Sequence, residues 1–122
     1  HTDFNTYNHP IHGKLDRRIN LLLYMNKDWK SEYNGNLLMY HPDNISKVKS
    51  IEPIFNRCVI FNTSKKSVHG HPFPLTVDKE DMYRRSIAVY YYTKNKNGNV
   101  DFEGDSPHST LWHKIPKLTY NL

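Results

Sequence analysis

The sequence predicts a mainly β fold, a sandwich or barrel of short strands, and three observations carry that expectation. Short apolar segments recur at regular spacing from residue 17 to residue 93. The breaks between them carry turn residues, and hardly any stretch shows the period of an amphipathic helix. Strands of this kind, with so little helix, pack as sandwiches or barrels.

Taken in order, "RRINLLLYMN" (17–26) is a nearly continuous apolar run closed by "NKDW", the pattern of a strand buried on both faces. "NLLMYH" (36–41) follows, then "SKVKSIEP" (46–53), where Val48 alternates with Lys47 and Lys49 and one face must be wet. "RCVIFNT" (57–63) and "RRSIAVYYYT" (84–93) complete the set. "YNGN" (33–36), "HPDN" (41–44) and "NTSKK" (62–66) supply the turns. From residue 94 the chain changes character: "KNKNGNVDFEGDSPHST" is polar and reads as a mobile connection. "LWHKIPKLTYNL" regains apolar residues, with Leu111 and Trp112 as the expected anchor on the barrel. The organisation expected is one domain over residues 1–122, a core at 1–93 with a C-terminal extension at 94–122.

Size and composition bound the function. A chain of 122 residues holds at most one domain with a modest core. No apolar run approaches the roughly 20 residues that cross a membrane, so no membrane partner is expected. The single Cys58 excludes an internal disulfide; set in "RCVIFN", it reads as a buried thiol and points to a reducing, cytoplasmic compartment. The charge of +5 would permit nucleic-acid binding. Its lysines and arginines are scattered rather than gathered into one aromatic-laced stripe, so a solvated basic surface is the expectation and nucleic acid is not.

One constellation carries chemistry. His1 and Asp3 stand one residue apart, so in extended backbone both side chains leave the same face and can reach one ion. A histidine from a distant strand would complete a facial set of two imidazoles and one carboxylate, which suits non-haem Fe(II). "SVHGHPFPL" (67–75) offers two, His69 and His71.

"HTD", "RRINLLLYMNKDW", "NGNLLMY", "IEPIFNRCVIFNTSKKSVHGHP" and "RRSIAVYYYT" together resemble the 2-oxoglutarate and Fe(II)-dependent oxygenases, in the prolyl 4-hydroxylase-like branch. The resemblance runs from residue 1 to about residue 93. It implies a double-stranded β-helix, a jelly-roll or cupin-like barrel, whose opening strands and helices are expected to lie outside this chain. It implies that His1, Asp3 and His69 hold the iron and that His71 lines the pocket. It places Arg84 on the far carboxylate of 2-oxoglutarate, where a guanidinium fork gives two parallel bonds. Tyr24 then offers its hydroxyl to the same carboxylate, and Leu38 and Ile87 pack the methylenes. Asn20 and Tyr90 face the same pocket, and Arg85 points to solvent.

The implied reaction is hydroxylation of an unactivated C–H bond, of a prolyl residue or a small molecule, with release of succinate and CO2. Fe(II), 2-oxoglutarate and ascorbate are the implied cofactors. A carboxylate at Asp3 implies hydroxylation rather than halogenation. The stretch after Asp3, "FNTYNHPIHGKLDR", is longer than in the hypoxia-type prolyl hydroxylases and carries His9 and His12, which face substrate or solvent. "NGN" stands where the branch often has a glycine pair. With its opening strands absent the barrel would expose sheet edges, so a homodimer is also expected. Rival readings are a copper enzyme using an N-terminal histidine, a non-catalytic jelly-roll binding module, and a nucleic-acid demethylase of the same superfamily.

Overall fold

The computed structural model describes residues 1–94 and 106–114, and it contains no α-helix among them. Two antiparallel sheets form a jelly roll. The first strand, β1 (Thr6–His9), makes a hairpin with the long β2 (Gly13–Tyr24), in register Thr6↔Asp16 to His9↔Gly13. After a 3₁₀ turn at Ser31–Tyr33 come β3 (Leu37–His41), β4 (Asn44–Ile51), β5 (Cys58–Asn62), the two-residue β6 (His69–Gly70) and β7 (Ser86–Lys94). One sheet runs β1-β2-β5 with β7 on the other side of β2; the second runs β4-β3-β6.

The β1–β2 hairpin occupies the long stretch after Asp3. Its tip closes because the His9 Nδ1 accepts from the backbone N–H groups of Ile11 and His12, at 3.1 Å each. Gly13 takes φ +71°, a left-handed value that a side chain would strain. His9 and His12 stack at the tip with centroids 4.7 Å apart, and neither reaches the cluster described below.

The interior is built where the sheets face each other. Leu38, Tyr40 and Val68 form the buried cluster, with Ile45, Val48 and Phe73 packed on it. Tyr24 and Leu38 are fully enclosed. Each such side chain contributes about 1.5–3 kcal/mol of transfer free energy, and together they hold the sheets at the spacing the site needs.

Four expectations are corrected. β2 is buried on one face rather than both: Asn20 and Tyr24 point inward, while Leu21 and Leu23 are only half-buried on the outer face. Ile87 pairs with Leu23 and shares that outer face, 50% exposed, so it cannot pack a ligand inside. Cys58 pairs with Leu23 at the start of β5 and is exposed, since alternation along a five-residue strand sends it outward. The run at 84–93 becomes a strand only from Ser86, which leaves Arg84 and Arg85 in the approach to it.

Leu21, Leu23, Ile60, Ile87, Val89 and Tyr91 thus form an apolar outer face on adjacent strands. Concentration-dependent association of this chain is the expected result. Ile60, 62% exposed, is a sensitive position. Ile60→Lys should weaken association about tenfold or more, since one buried isoleucine contributes about 1.5–3 kcal/mol. Sedimentation velocity showing an unassociated wild-type chain up to high micromolar concentration would contradict this.

The C-terminal segment docks differently from the anchor expected. Residues 95–105 and 115–122 of the expected extension lie outside the described residues. Leu111 forms an antiparallel bridge with Thr2 through two backbone bonds of 2.8 and 2.9 Å. Asn5, fully buried, donates from its side-chain amide to the Ser106 carbonyl and accepts from the His108 N–H. Backbone pairing therefore holds residues 106–111, and Trp112 stays 83% exposed instead of burying itself.

Candidate metal centre

Two strands place the first ligands. His1 and His69 exchange both backbone bonds, His1 N to His69 O at 3.0 Å and His69 N to His1 O at 2.9 Å. His69 is also paired with Met39 of β3, so the second sheet extends through β6 to residue 1. This brings the two imidazoles together with ring centroids 4.6 Å apart. Asp3, two residues on and on the same side, meets both: its Oδ1 lies 3.3 Å from His1 Nε2 and its Oδ2 3.6 Å from His69 Nε2. The ligand atoms of His1, Asp3 and His69 all fall within 4.8 Å of one another, the one such cluster among the described residues. Donors bound at right angles to a first-row ion, with bonds of roughly 2.0–2.2 Å, stand roughly 3 Å apart. The cluster is therefore close to ligating geometry, and two imidazoles with one carboxylate fit Fe(II).

Protonation is compatible with ligation. The His69 Nδ1 lies 2.8 Å from the Ser67 carbonyl, which can only accept, so the hydrogen is on Nδ1 and the lone pair is on Nε2. Burial holds the ring below the ordinary imidazole pKa, outweighing the Ser67 hydrogen bond and the pull of Asp3. At neutral pH His69 is thus an uncharged donor. The Phe61 ring packs edge-on against it at 4.7 Å and limits its rotation.

Asp3 is held from behind. Asn20 donates to its Oδ2 at 2.6 Å, and the Arg17 guanidinium stands 3.3 Å from the same oxygen. Arg17 in turn donates to the Asn20 side-chain oxygen from Nε (3.1 Å) and from Nη2 (2.8 Å). On a regular strand residues three apart face opposite ways. A register shift between Arg17 and Ile19, the mark of a β-bulge, puts Arg17 and Asn20 on one face.

The second half of the site lies further along the same face of β2. Tyr24 is fully buried, yet its hydroxyl has no partner at good hydrogen-bonding geometry. Burial pushes its pKa up, against the opposing pull of the Arg84 guanidinium beside it. Arg84 lies over the Tyr24 ring at 5.2 Å and donates from Nε to the Gly35 carbonyl at 2.7 Å. No carboxylate of the described residues pairs with it. A buried phenol short of a partner beside a guanidinium short of a counter-ion fits a carboxylate ligand, so the residues present suit 2-oxoglutarate as well as iron. Leu38 is enclosed in the core cluster with Tyr40 and Val68. His71 lies outside the metal cluster, with much of the residue open to solvent; partial burial of its ring and then the Arg84 charge lower its pKa, which places it on the arginine side of the pocket.

Gly35 explains the "NGN" turn. Its φ is +80°, and a Cβ there would stand 2.7 Å from Leu75 Cδ2 and 3.0 Å from Arg84 Cδ. Gly35→Ala is expected to displace Arg84 and weaken 2-oxoglutarate binding about tenfold or more while leaving metal affinity unchanged. One misaligned charge-assisted bond costs about 1.5–3 kcal/mol. Co-substrate titration of the variant checks it; unaltered affinity would show that the turn does not set Arg84.

Of the residues singled out in the sequence, His1, Asp3 and His69 converge, and Arg84 and Tyr24 meet each other. Asn20 and Tyr90 face inward toward Arg17, whose guanidinium lies 4.0 Å from the Tyr90 ring centroid. Arg85 is exposed. Sequence reasoning missed Arg17, because the bulge that turns it inward leaves no local signature. It also missed Asn5, and although Trp112 was singled out, its place beside His1 at a centroid distance of 5.3 Å was not foreseen.

Comparison with known proteins gives the family of the chain. The profile of the 2OG-Fe(II) oxygenase superfamily matches residues 1–92. Prolyl hydroxylase EGLN3 of Mus musculus is 34% identical over 76 residues, which cover 62% of this chain and 29% of that protein. The human EGLN3 is 32% identical over the same shares. Egl nine homolog 1 of Rattus norvegicus is 28% identical over 97 residues, 74% of this chain and 29% of its own length. The chain thus spans less than a third of these relatives. No solved structure matches it significantly. With a profile match across most of the chain and a two-histidine, one-carboxylate cluster inside a jelly roll, the chain belongs to the 2OG-Fe(II) oxygenase superfamily and within it is similar to the prolyl hydroxylases.

Proposed function

We propose that the protein is a 2-oxoglutarate-dependent, non-haem Fe(II) dioxygenase that hydroxylates an unactivated C–H bond. The observation that carries this reading is the convergence of His1, Asp3 and His69 in the interior that also holds the paired Arg84 and Tyr24. Bound iron, with 2-oxoglutarate and O2, supplies the oxidising power that inserts a hydroxyl group and releases succinate and CO2. The chain's residues bind, orient and shield. His1, Asp3 and His69 would hold the iron as three protein donors, a set that suits an ion which must also accept exogenous ligands. Arg84 takes the far carboxylate of 2-oxoglutarate as a fork, Tyr24 donates its hydroxyl to the same group, and Leu38 packs the methylenes between. Ascorbate serves to keep the iron ferrous.

Similarity to proteins named prolyl hydroxylases makes a prolyl peptide the first substrate to try. Small molecules form the second group. No helix of the described residues is long and apolar enough to cross a membrane, and the reaction needs no membrane partner. The reading places the enzyme in the cytoplasm.

The test is succinate release by the purified protein with Fe(II), 2-oxoglutarate and ascorbate, alone and against prolyl peptides, free amino acids and oligonucleotides. Succinate formed in step with a hydroxylated product is expected. Binding of iron and 2-oxoglutarate with no succinate under any condition would make the protein a binding module, and coupling to oligonucleotides alone would make it a nucleic-acid demethylase.

A further inference from the structure

We infer that Arg17 and Asn20 are positioning residues that make Asp3 a one-oxygen ligand, keeping a coordination place available that a two-oxygen carboxylate would fill. The inference rests on the function proposed above.

Asp3 has two oxygens in unequal surroundings. Oδ2 accepts a 2.6 Å bond from Asn20, faces the Arg17 guanidinium at 3.3 Å and lies 3.6 Å from His69 Nε2, whereas Oδ1 has His1 Nε2 at 3.3 Å and no such donor behind it. An oxygen whose lone pairs are engaged by an amide and a guanidinium is a poor donor to a cation. The donors themselves cannot swing away. Arg17 is 4% exposed, bonded twice to the Asn20 oxygen, and held between the Tyr90 ring at 4.0 Å and the Phe4 ring at 4.6 Å. Asn20 is 2% exposed, and its amide orientation is set by Arg17: the oxygen accepts from the guanidinium, so the NH2 must face Asp3.

Two imidazoles and one carboxylate oxygen would leave three places of a six-coordinate ion open to exogenous ligands, and a carboxylate using both oxygens would leave only two. Arg17 also offsets the negative charge of Asp3 without competing for the metal.

Co(II) is the probe, because its visible absorption reports coordination number and requires no turnover. Asn20→Leu keeps the side-chain volume and removes the donor. Against wild type it should bind Co(II) about 10- to 100-fold differently, the usual effect of altering a partner behind a ligand. Its visible bands should weaken as the freed Oδ2 joins the coordination sphere. Asn20→Ser, which retains a hydroxyl donor, should recover part of the wild-type spectrum. Arg17→Lys, with one charge but no fork, should shift it in the direction of Asn20→Leu. If Asn20→Leu does not fold, the spectrum of Arg17→Lys decides alone. A folded variant with wild-type affinity and spectrum would overturn the inference. Wild-type protein that binds no Co(II) would instead overturn the proposed function, so the two failures are distinct.

Discussion

Asp3→Ala is expected to lower metal affinity by more than about 100-fold and to leave no hydroxylation. Altering a group that merely orients a ligand costs about 10- to 100-fold, and Asp3 would itself be a ligand, the one anion of the proposed set. A second effect is thermodynamic. Arg17 is 4% exposed and relies on Asp3 for charge compensation. Removing one partner of a buried pair costs about 3–5 kcal/mol. The rings of Tyr90 and Phe4 stay in place and retain part of the favourable field on the guanidinium, so a loss toward the lower end is expected. Metal titration and thermal unfolding of the metal-free protein read the two effects separately. Asp3→Asn tells them apart again: it keeps the shape and an oxygen for Asn20 but removes the charge, so metal affinity should still collapse. Wild-type metal affinity in Asp3→Ala would place the metal elsewhere.

Arg84→Ala is expected to weaken 2-oxoglutarate by a factor of several hundred or more, with metal affinity changed by less than a few-fold. The ligand's far carboxylate would be left in an interior with only the Tyr24 hydroxyl to meet it, and an uncompensated buried charge costs about 3–5 kcal/mol. Arg84→Lys should also fail badly. Arg84 spends its Nε on the Gly35 carbonyl at 2.7 Å, which aims the remaining two nitrogens; a lysine has one nitrogen and cannot hold the turn and the ligand together. The separation of the two titrations is what identifies the role, since a general loss of fold would lower both affinities. Undiminished succinate formation in either variant would remove Arg84 from the co-substrate site.

Some of this was legible in the residues because its physics is local. Strand alternation and turn chemistry depend on neighbours a few positions away, so the strands at 36–41, 46–53 and 57–63 appear within a residue or two of their observed bounds. The one-residue spacing of His1 and Asp3 likewise puts two side chains on one face in any extended backbone. The choice of His69 over His71 as the partner of that pair was carried by resemblance to a family, which condenses tertiary information that spacing lacks. Ile87 and Cys58 went astray for one reason. The phase of a strand relative to the core is set by its partners, and a slip of one residue reverses every face.

By itself, the sequence determined a β protein of short strands with His1 and Asp3 set on one face of extended backbone. Only the tertiary structure decided what stands behind and beside them. The bulge at Arg17 and Arg18 turns an arginine inward against Asp3, Gly35 makes room for Arg84 and accepts its Nε–H, and residues 106–111 zip along residues 2–5. Each of these joins positions far apart in the chain, from 14 residues for Arg17 and Asp3 to 109 for Thr2 and Leu111. Hydrogen bonds of that range depend on the register of whole strands, and register is settled by the packing of the assembled sheets rather than by any single segment.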